Sequence, residues 1–138
     1  MQRQTRQKTA IRTVFAQARR PLAPQEVLEA ARHQVPELSL ATVYRNLKAL
    51  VEADELRSVE LPGESARYEL ASAASVHHHH FQCSVCLRVF DLHACGIDLR
   101  GMLPRGFELE RHEITLYGRC AEHGGVRRRS SGPPRASR

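Results

Sequence analysis

His77-His78-His79-His80-Phe81-Gln82-Cys83-Ser84-Val85-Cys86 divides the chain and decides how each side of it is read. Imidazole nitrogen and thiolate sulfur are the donors that zinc and neighbouring first-row metals take, and a Cys-x-x-Cys turn brings two sulfurs to one tetrahedral ion. In an extended strand alternate side chains leave on opposite faces, so His77 and His79 share one face and His78 and His80 the other. One short strand can then serve two metal sites. A purification tag sits at a terminus, whereas this run is central and abuts the Cys pair.

Downstream, Val89-Phe90-Asp91-Leu92 reads as a strand and Cys95 to Leu103 as a helix stopped by Pro104-Arg105-Gly106. Phe107 to Tyr117 reads as a long alternating strand, with His112, Ile114 and Leu116 on one side and Glu113, Thr115 and Tyr117 on the other. Cys120-Ala121-Glu122-His123 then repeats the x-x spacing of the first Cys pair. The residues from 124 to 138 are rich in Gly, Arg, Ser and Pro, the composition of a disordered basic tail.

Upstream, the grammar is helical. Thr5 can cap a helix carrying Ala10, Ile11, Val14 and Phe15 at helical spacing, ended by Arg19-Arg20-Pro21. Ala23-Pro24-Gln25-Glu26 opens a second helix with proline in its first turn and Val27, Leu28, Ala30 and Ala31 as its buried stripe. His33 lies near its end, where an imidazole suits the helix C-terminus better than a metal. A third helix begins at Ser39 or Thr42 and turns Val43, Leu47 and Leu50 inward; its other face offers Thr42, Tyr44, Arg45 and Lys48 for base edges and phosphates. Leu56 to Leu61, Pro62-Gly63-Glu64-Ser65 and Arg67 to Leu70 form a strand hairpin. Three helices followed by a hairpin is winged-helix order. The small-residue run Ala71-Ser72-Ala73-Ala74-Ser75 reads as a hinge.

The boundaries that follow are 1–71 for a winged-helix DNA-binding domain, 72–76 for the hinge, 77–123 for a small α/β dimerisation and metal-binding domain, and 124–138 for the tail. The fold class is α+β. With 138 residues, no Trp and few aromatics, the second domain is short of large core side chains, so a structural metal and a partner chain are expected to complete it. No signal peptide or membrane-spanning run is read, which leads to the expectation of a cytoplasmic protein whose four cysteines stay reduced. The net charge of +6 says less than its distribution, because five arginines lie in the tail. The first twenty residues hold Arg3, Arg6, Lys8, Arg12, Arg19 and Arg20 without one acid, which makes the N-terminal half the candidate for phosphate contact, with Arg6, Lys8 and Arg12 on the backbone.

Ala41-Thr42-Val43-Tyr44-Arg45-Asn46-Leu47, Arg67-Tyr68-Glu69-Leu70, His77 to His80 with Cys83-x-x-Cys86, and His112 through Leu116-Tyr117-Gly118-x-Cys120 together resemble the ferric uptake regulator family over roughly residues 3 to 123. The resemblance implies a homodimeric, metal-dependent repressor that binds a double-stranded DNA operator. It implies a structural zinc ion on Cys83, Cys86, Cys120 and the residue at 123. The family usually has cysteine there; this chain has His123, a competent ligand, with Cys95 as the alternative. A regulatory site would take Glu69, His78 and His80, with Asp91 or a residue from the second-helix region completing it. The histidine often found just before the second helix is replaced here by Pro21 or Leu22. An additional site would take His77, His79, Asp98 and His112.

Histidine and carboxylate ligands suit Zn2+, Fe2+ and Mn2+ alike, so the regulatory metal is not named by its ligands. The Phe81-Gln82-Cys83 and Val89-Phe90-Asp91 context resembles the zinc-uptake regulator branch. Control of metal-uptake genes is the expected role, with peroxide sensing in the same family, or a zinc-ribbon interaction module without DNA function, as alternatives. An enzyme is not expected, because there is no His-Glu-x-x-His run and the Cys and His spacings are those of closed sites. No membrane and no small organic substrate enters this reading.

Overall fold

A computed structural model of the chain describes residues 2–74, 78–93 and 98–124. Three helices open it: α1 (Gln2–Ala18), α2 (Pro24–Ala31) and α3 (Leu40–Glu52). Strands β1 (Leu56–Val59) and β2 (Arg67–Leu70) pair antiparallel, with Leu56 opposite Leu70 and Val59 opposite Arg67. The hairpin turns through Pro62-Gly63, with Gly63 at φ 75° and Glu64 N–H donating to Leu61 O, the arrangement of a type II turn.

Each helix end has a local cause. Ser39 caps α3 by accepting the Thr42 N–H at 3.2 Å. At its other end Asp54 takes the left-handed conformation at φ 58°, and the N–H groups of Asp54 and Glu55 return to Val51 and Leu50. Helix α1 stops where Arg19 turns left-handed at φ 51°. It starts at Gln2, so Thr5 lies inside the helix and not at its N-cap. Ala30, read as part of the buried stripe of α2, is exposed; Pro24, Val27, Leu28 and Ala31 form that stripe.

The main core is built in this half. Ile11, Phe15, Val27, Val43, Leu47 and Leu50 are all essentially inaccessible, and Leu56 and Leu70 bring the hairpin onto it. Leu22, between α1 and α2, exchanges two backbone hydrogen bonds with Tyr68 of β2, at 2.8 and 2.9 Å, and ties the first loop to the hairpin. Ala71–Ala74 of the expected hinge forms one helical turn, α4, anchored by Ala71 N–H to Glu55 O. Alanine favours helix, and that anchor supplies the nucleus.

Beyond it, β3 (His79–Cys83) is the centre of a three-stranded sheet. Strand β4 (Val89–Leu92) pairs antiparallel with one edge and β5 (Thr115–Gly118) pairs parallel with the other. The long strand read over 107–117 is therefore mostly absent: only its end is a strand, and Phe107 and Leu109 stand exposed. Alternation marks a segment able to pair, but no described strand lies beside 107–114, and unpaired residues gain no ladder bonds. Of the helix read over 95–103, residues 99–102 form a 3₁₀ turn started by the Asp98 side chain, which accepts the Arg100 N–H; residues 94–97, including Cys95, lie outside the described residues.

Phe15→Ala should destabilise the protein by about 3–5 kcal/mol through the cavity it leaves, whereas Tyr44→Ala on an exposed helix face should stay within about 0.5 kcal/mol. Urea unfolding of both variants measures the contrast.

Candidate metal centres and nucleic-acid face

Two clusters of metal-binding side chains assemble among the described residues. The first joins the Cys83-x-x-Cys86 turn at the end of β3 to the turn after β5. Cys83, Cys86, Cys120 and His123 bring four donor atoms within 4.8 Å of one another. Cys86 Sγ lies 3.8 Å from Cys120 Sγ, and His123 Nδ1 lies 3.1 Å from Cys120 Sγ and 4.0 Å from Cys83 Sγ. A zinc–sulfur bond of about 2.3 Å spaces two sulfurs of a tetrahedron by about 3.8 Å, so the donors fit such an ion.

The backbone prepares the thiolates. Cys83 Sγ accepts N–H groups from Val85, Cys86 and Cys120 at 3.4–3.5 Å. Burial alone would raise the Cys83 thiol, but those three donors, with the Cys86 thiol, pull it down to about 6. Burial and the neighbouring Cys83 and Cys120 sulfurs push Cys86 up. The turn that makes this possible places Leu87 in the left-handed region, φ 61°, where its N–H returns to Cys83 O.

The second cluster spans both halves of the molecule. Glu69 comes from β2, His78 and His80 from the start of β3, and Asp91 from β4, directly opposite His80 in the ladder. His78 Nε2 lies 3.2 Å from both Glu69 Oε1 and Asp91 Oδ1, and His80 Nε2 lies 3.4 Å from Asp91 Oδ1. Nitrogen and oxygen donors bound at about 2.1 Å are separated by roughly 3.0–3.4 Å, so this spacing suits one ion. Glu69 Oε2, His80 Nε2 and Asp91 Oδ1 are buried without a directed hydrogen bond, a costly arrangement for a site that stays empty. Burial, then the Asp91 charge, raise the Glu69 carboxyl to about 7 against the pull of His78 and His80. Asp91 moves the other way: burial opposes its ionisation, but the nearby His80 ring nitrogen, the His78 charge and the Glu69 carboxyl outweigh it. The surroundings thus favour the proton on Glu69 over Asp91.

The expected additional site is not brought together in the same way. His77 lies outside the described residues. The His79 and His112 rings lie with centroids 5.0 Å apart, tilted by 37°, and His79 Nδ1 accepts the Ile114 N–H. Asp98 is exposed, one of its carboxylate oxygens caps the 3₁₀ turn, and it lines a cleft with His112; among the described residues no metal-binding cluster joins it to His79 and His112. His93, which the sequence reading passed over, stands 6.0 Å from His78, ring to ring. Strand alternation was its signal, since it follows Asp91 by two.

On α3, Tyr44, Arg45 and Lys48 are exposed as read. Thr42 is not: it is buried, bonded to Ser39 Oγ, and accepts Arg45 Nη2 at 3.0 Å, because the cap draws it into the helix start. Arg12 is taken up by a two-pronged pair with Glu55 at 2.7 and 2.8 Å, and Arg6 by Gln34 O at 2.8 Å. Lys8 and Arg45 line one cleft between α1 and α3, together with Arg3 and Asn46.

Comparison with known proteins agrees with this architecture. The sequence profile of the ferric uptake regulator family matches residues 2–117. The chain is 31% identical over 106 residues to the ferric uptake regulation protein of Cupriavidus metallidurans, covering 75% of this chain and 73% of that protein. It is 28% identical over 100 residues to the peroxide operon regulator of Bacillus subtilis, covering 70% and 67%. Among solved structures, a zinc-bound manganese uptake regulator superposes with a TM-score of 0.71 at 23% identity, covering 83% of this chain and 87% of that one. The ferric uptake regulator of Francisella tularensis with iron gives 0.61 at 24%, covering 84% and 89%. At these identities the two structures carry the fold alone, a winged-helix half followed by a small α/β half. The profile over most of the chain and the Cupriavidus relative settle the lineage: this protein belongs to the ferric uptake regulator family, whose members are metal-responsive transcription regulators and not enzymes.

Proposed function

We propose that the chain is a metal-dependent repressor of metal-uptake genes that binds its operator as a homodimer. The observation that carries this reading is the second cluster. Glu69 belongs to the winged-helix half, while His78, His80 and Asp91 belong to the sheet half, and their buried donor atoms converge. A divalent ion there supplies a bond that exists in one arrangement of the two halves. By holding it, Glu69 and its partners select that arrangement from the ensemble and raise DNA affinity by population shift. The ligands suit Zn2+, Fe2+ and Mn2+.

Cys83, Cys86, Cys120 and His123 are proposed as the structural zinc site, with His123 completing it. His79 and His112 remain candidates for a further site. The domain limits 1–71 and 77–123 follow, with the turn after residue 71 between them. Exposed Met102, Phe107, Leu116 and Tyr117 support the sheet half as the dimer face, since such a group on a lone surface is unfavourable. On DNA, Tyr44 is placed for apolar contact with thymine methyls, Arg45 for a base or phosphate, and Lys8 and Lys48 for the backbone. Arg12 would have to leave Glu55 to join them. Peroxide sensing is the second reading, favoured by the likeness to the Bacillus peroxide operon regulator.

Three outcomes test these assignments. Protein freed of exchangeable metal and titrated with each metal in turn should bind promoter fragments of metal-uptake genes tightly with one of them, and Glu69→Ala with His80→Ala should abolish the rise. Operator affinity indifferent to metal would sink the corepressor role. Cys120→Ser should lose one tightly held zinc per chain by elemental analysis and lower thermal stability, while His79→Ala keeps that zinc. Metal affinity at the hinge should fall by about tenfold per pH unit below about pH 7, because binding must displace the Glu69 proton. The sign for the metal-free fold is opposite: with Glu69 raised from 4.5 to about 7, its contribution is fully present below pH 4.5 and is lost as pH rises through 7. A metal affinity flat from about pH 5 to 7.5 would contradict this ligand set.

A further inference from the structure

The two halves are joined by more than the candidate ligands. Glu64, in the hairpin turn, accepts Gln82 Nε2 of β3 on both carboxylate oxygens at 2.9 Å. It also accepts Arg67 Nη2 at 3.2 Å, and Arg67 Nη1 reaches Glu26 of α2 at 3.2 Å. The other Glu26 oxygen holds Arg20 Nη2 at 2.6 Å, and the Arg20 guanidinium lies over the Phe90 ring of β4, 5.6 Å from its centroid. The path leaves β3, runs through the hairpin and α2, and returns to β4. Val59 and Leu61 of the hairpin side form a small buried apolar cluster with Val89 of β4 across the same junction.

We infer that this circuit is a latch that biases the metal-free protein toward the arrangement in which the hairpin meets the sheet, and so sets the metal concentration at which the protein responds. The inference rests on the reading of Glu69, His78, His80 and Asp91 as the regulatory site. Arg67 and Glu69 sit two residues apart on the same face of β2, both buried, so whatever fixes Arg67 also fixes Glu69. The links are charge-assisted and poorly exposed, with 8% of the Arg67 side chain accessible, and cutting one strands a buried donor. A site assembled from two halves binds with an affinity reduced by the fraction of time those halves are in place. The latch raises that fraction. Leu22, at the start of the second-helix region, is buried and apolar and offers no donor, so Arg20 makes the contact from that region to β4.

The test uses the full-length protein freed of exchangeable metal, with fluorophores on unnatural amino acids at exposed Glu52 and Ser84. Labelled chains are diluted with unlabelled ones so that distances within one chain are read. Without metal the native sequence should give a distance distribution with a distinct latched component, and Zn2+ should draw the remainder into it. Glu64→Ala and Gln82→Leu should each deplete that component until Zn2+ is added and weaken Zn2+ binding at the hinge by roughly tenfold or more, the scale of a hydrogen bond to a charged group. The double variant should be no worse than the worse single one, since both cut one link. Glu122→Ala, which breaks an exposed pair with Arg88, should change nothing. A native sequence with no latched component without metal, or variants that keep the native metal-free distribution, would overturn the latch; if Glu64→Ala fails to fold, Gln82→Leu still decides. DNA binding indifferent to metal would remove the corepressor reading while leaving the variants' loss of the latched component intact, so the two failures are distinct.

Discussion

The burial of Glu69 is the constraint on which the arrangement depends. A carboxylate taken out of water must keep its proton, find a cation, or be stabilised by donors. Here it faces a second carboxylate, Asp91, and two imidazoles, and its outer oxygen has no hydrogen bond. The group can therefore be neutral or metal-bound, and the choice depends on its surroundings. That conditional character distinguishes the cluster from an exposed ion pair such as Arg12 with Glu55, whose charges satisfy each other without a metal.

The thiolate cluster solves a different problem. The core of the winged-helix half is large and apolar, with Phe15, Ile11, Leu47 and Leu50 at its centre. The sheet half has little comparable: among its described residues the buried apolar side chains are Cys83 and Val89. A small sheet with so thin a core gains order from a cross-link between its end turns, and the Cys83, Cys86, Cys120 and His123 set lies where β3 and β5 finish. The N–H groups aimed at Cys83 hold that geometry in advance of any ion. The two clusters thus divide their work: one ties the sheet half together, the other ties it to the winged helix.

Polar groups set the junction between the halves. Val59, Leu61 and Val89 give it a small apolar centre, and Arg67, Glu64, Glu26 and Gln82 surround that centre with directed bonds. Such bonds specify one orientation more sharply than apolar contact, which tolerates sliding. They also make the junction sensitive to single substitutions.

Much of this was legible from residue order. The helical spacing of Ile11, Phe15, Val43 and Leu47, the Pro62-Gly63 turn and the Cys-x-x-Cys repeat are local signals, because backbone geometry and ligand reach act over a few residues. The sequence by itself determined the three helices, the hairpin and the opposite faces of His78 and His79; the candidate ligand sets came through the family resemblance, with His123 and Asp91 each one of two alternatives. Tertiary structure decided what no local pattern encodes. It buried Thr42 at a cap, bound Arg12 to Glu55 and spent Asp98 on a turn. It also left 107–114 without a described strand partner and linked Glu64 to Gln82 across 18 residues. These outcomes depend on which side chains meet after the chain has closed, and a charged residue's partner is chosen by proximity in space rather than by its neighbours in sequence.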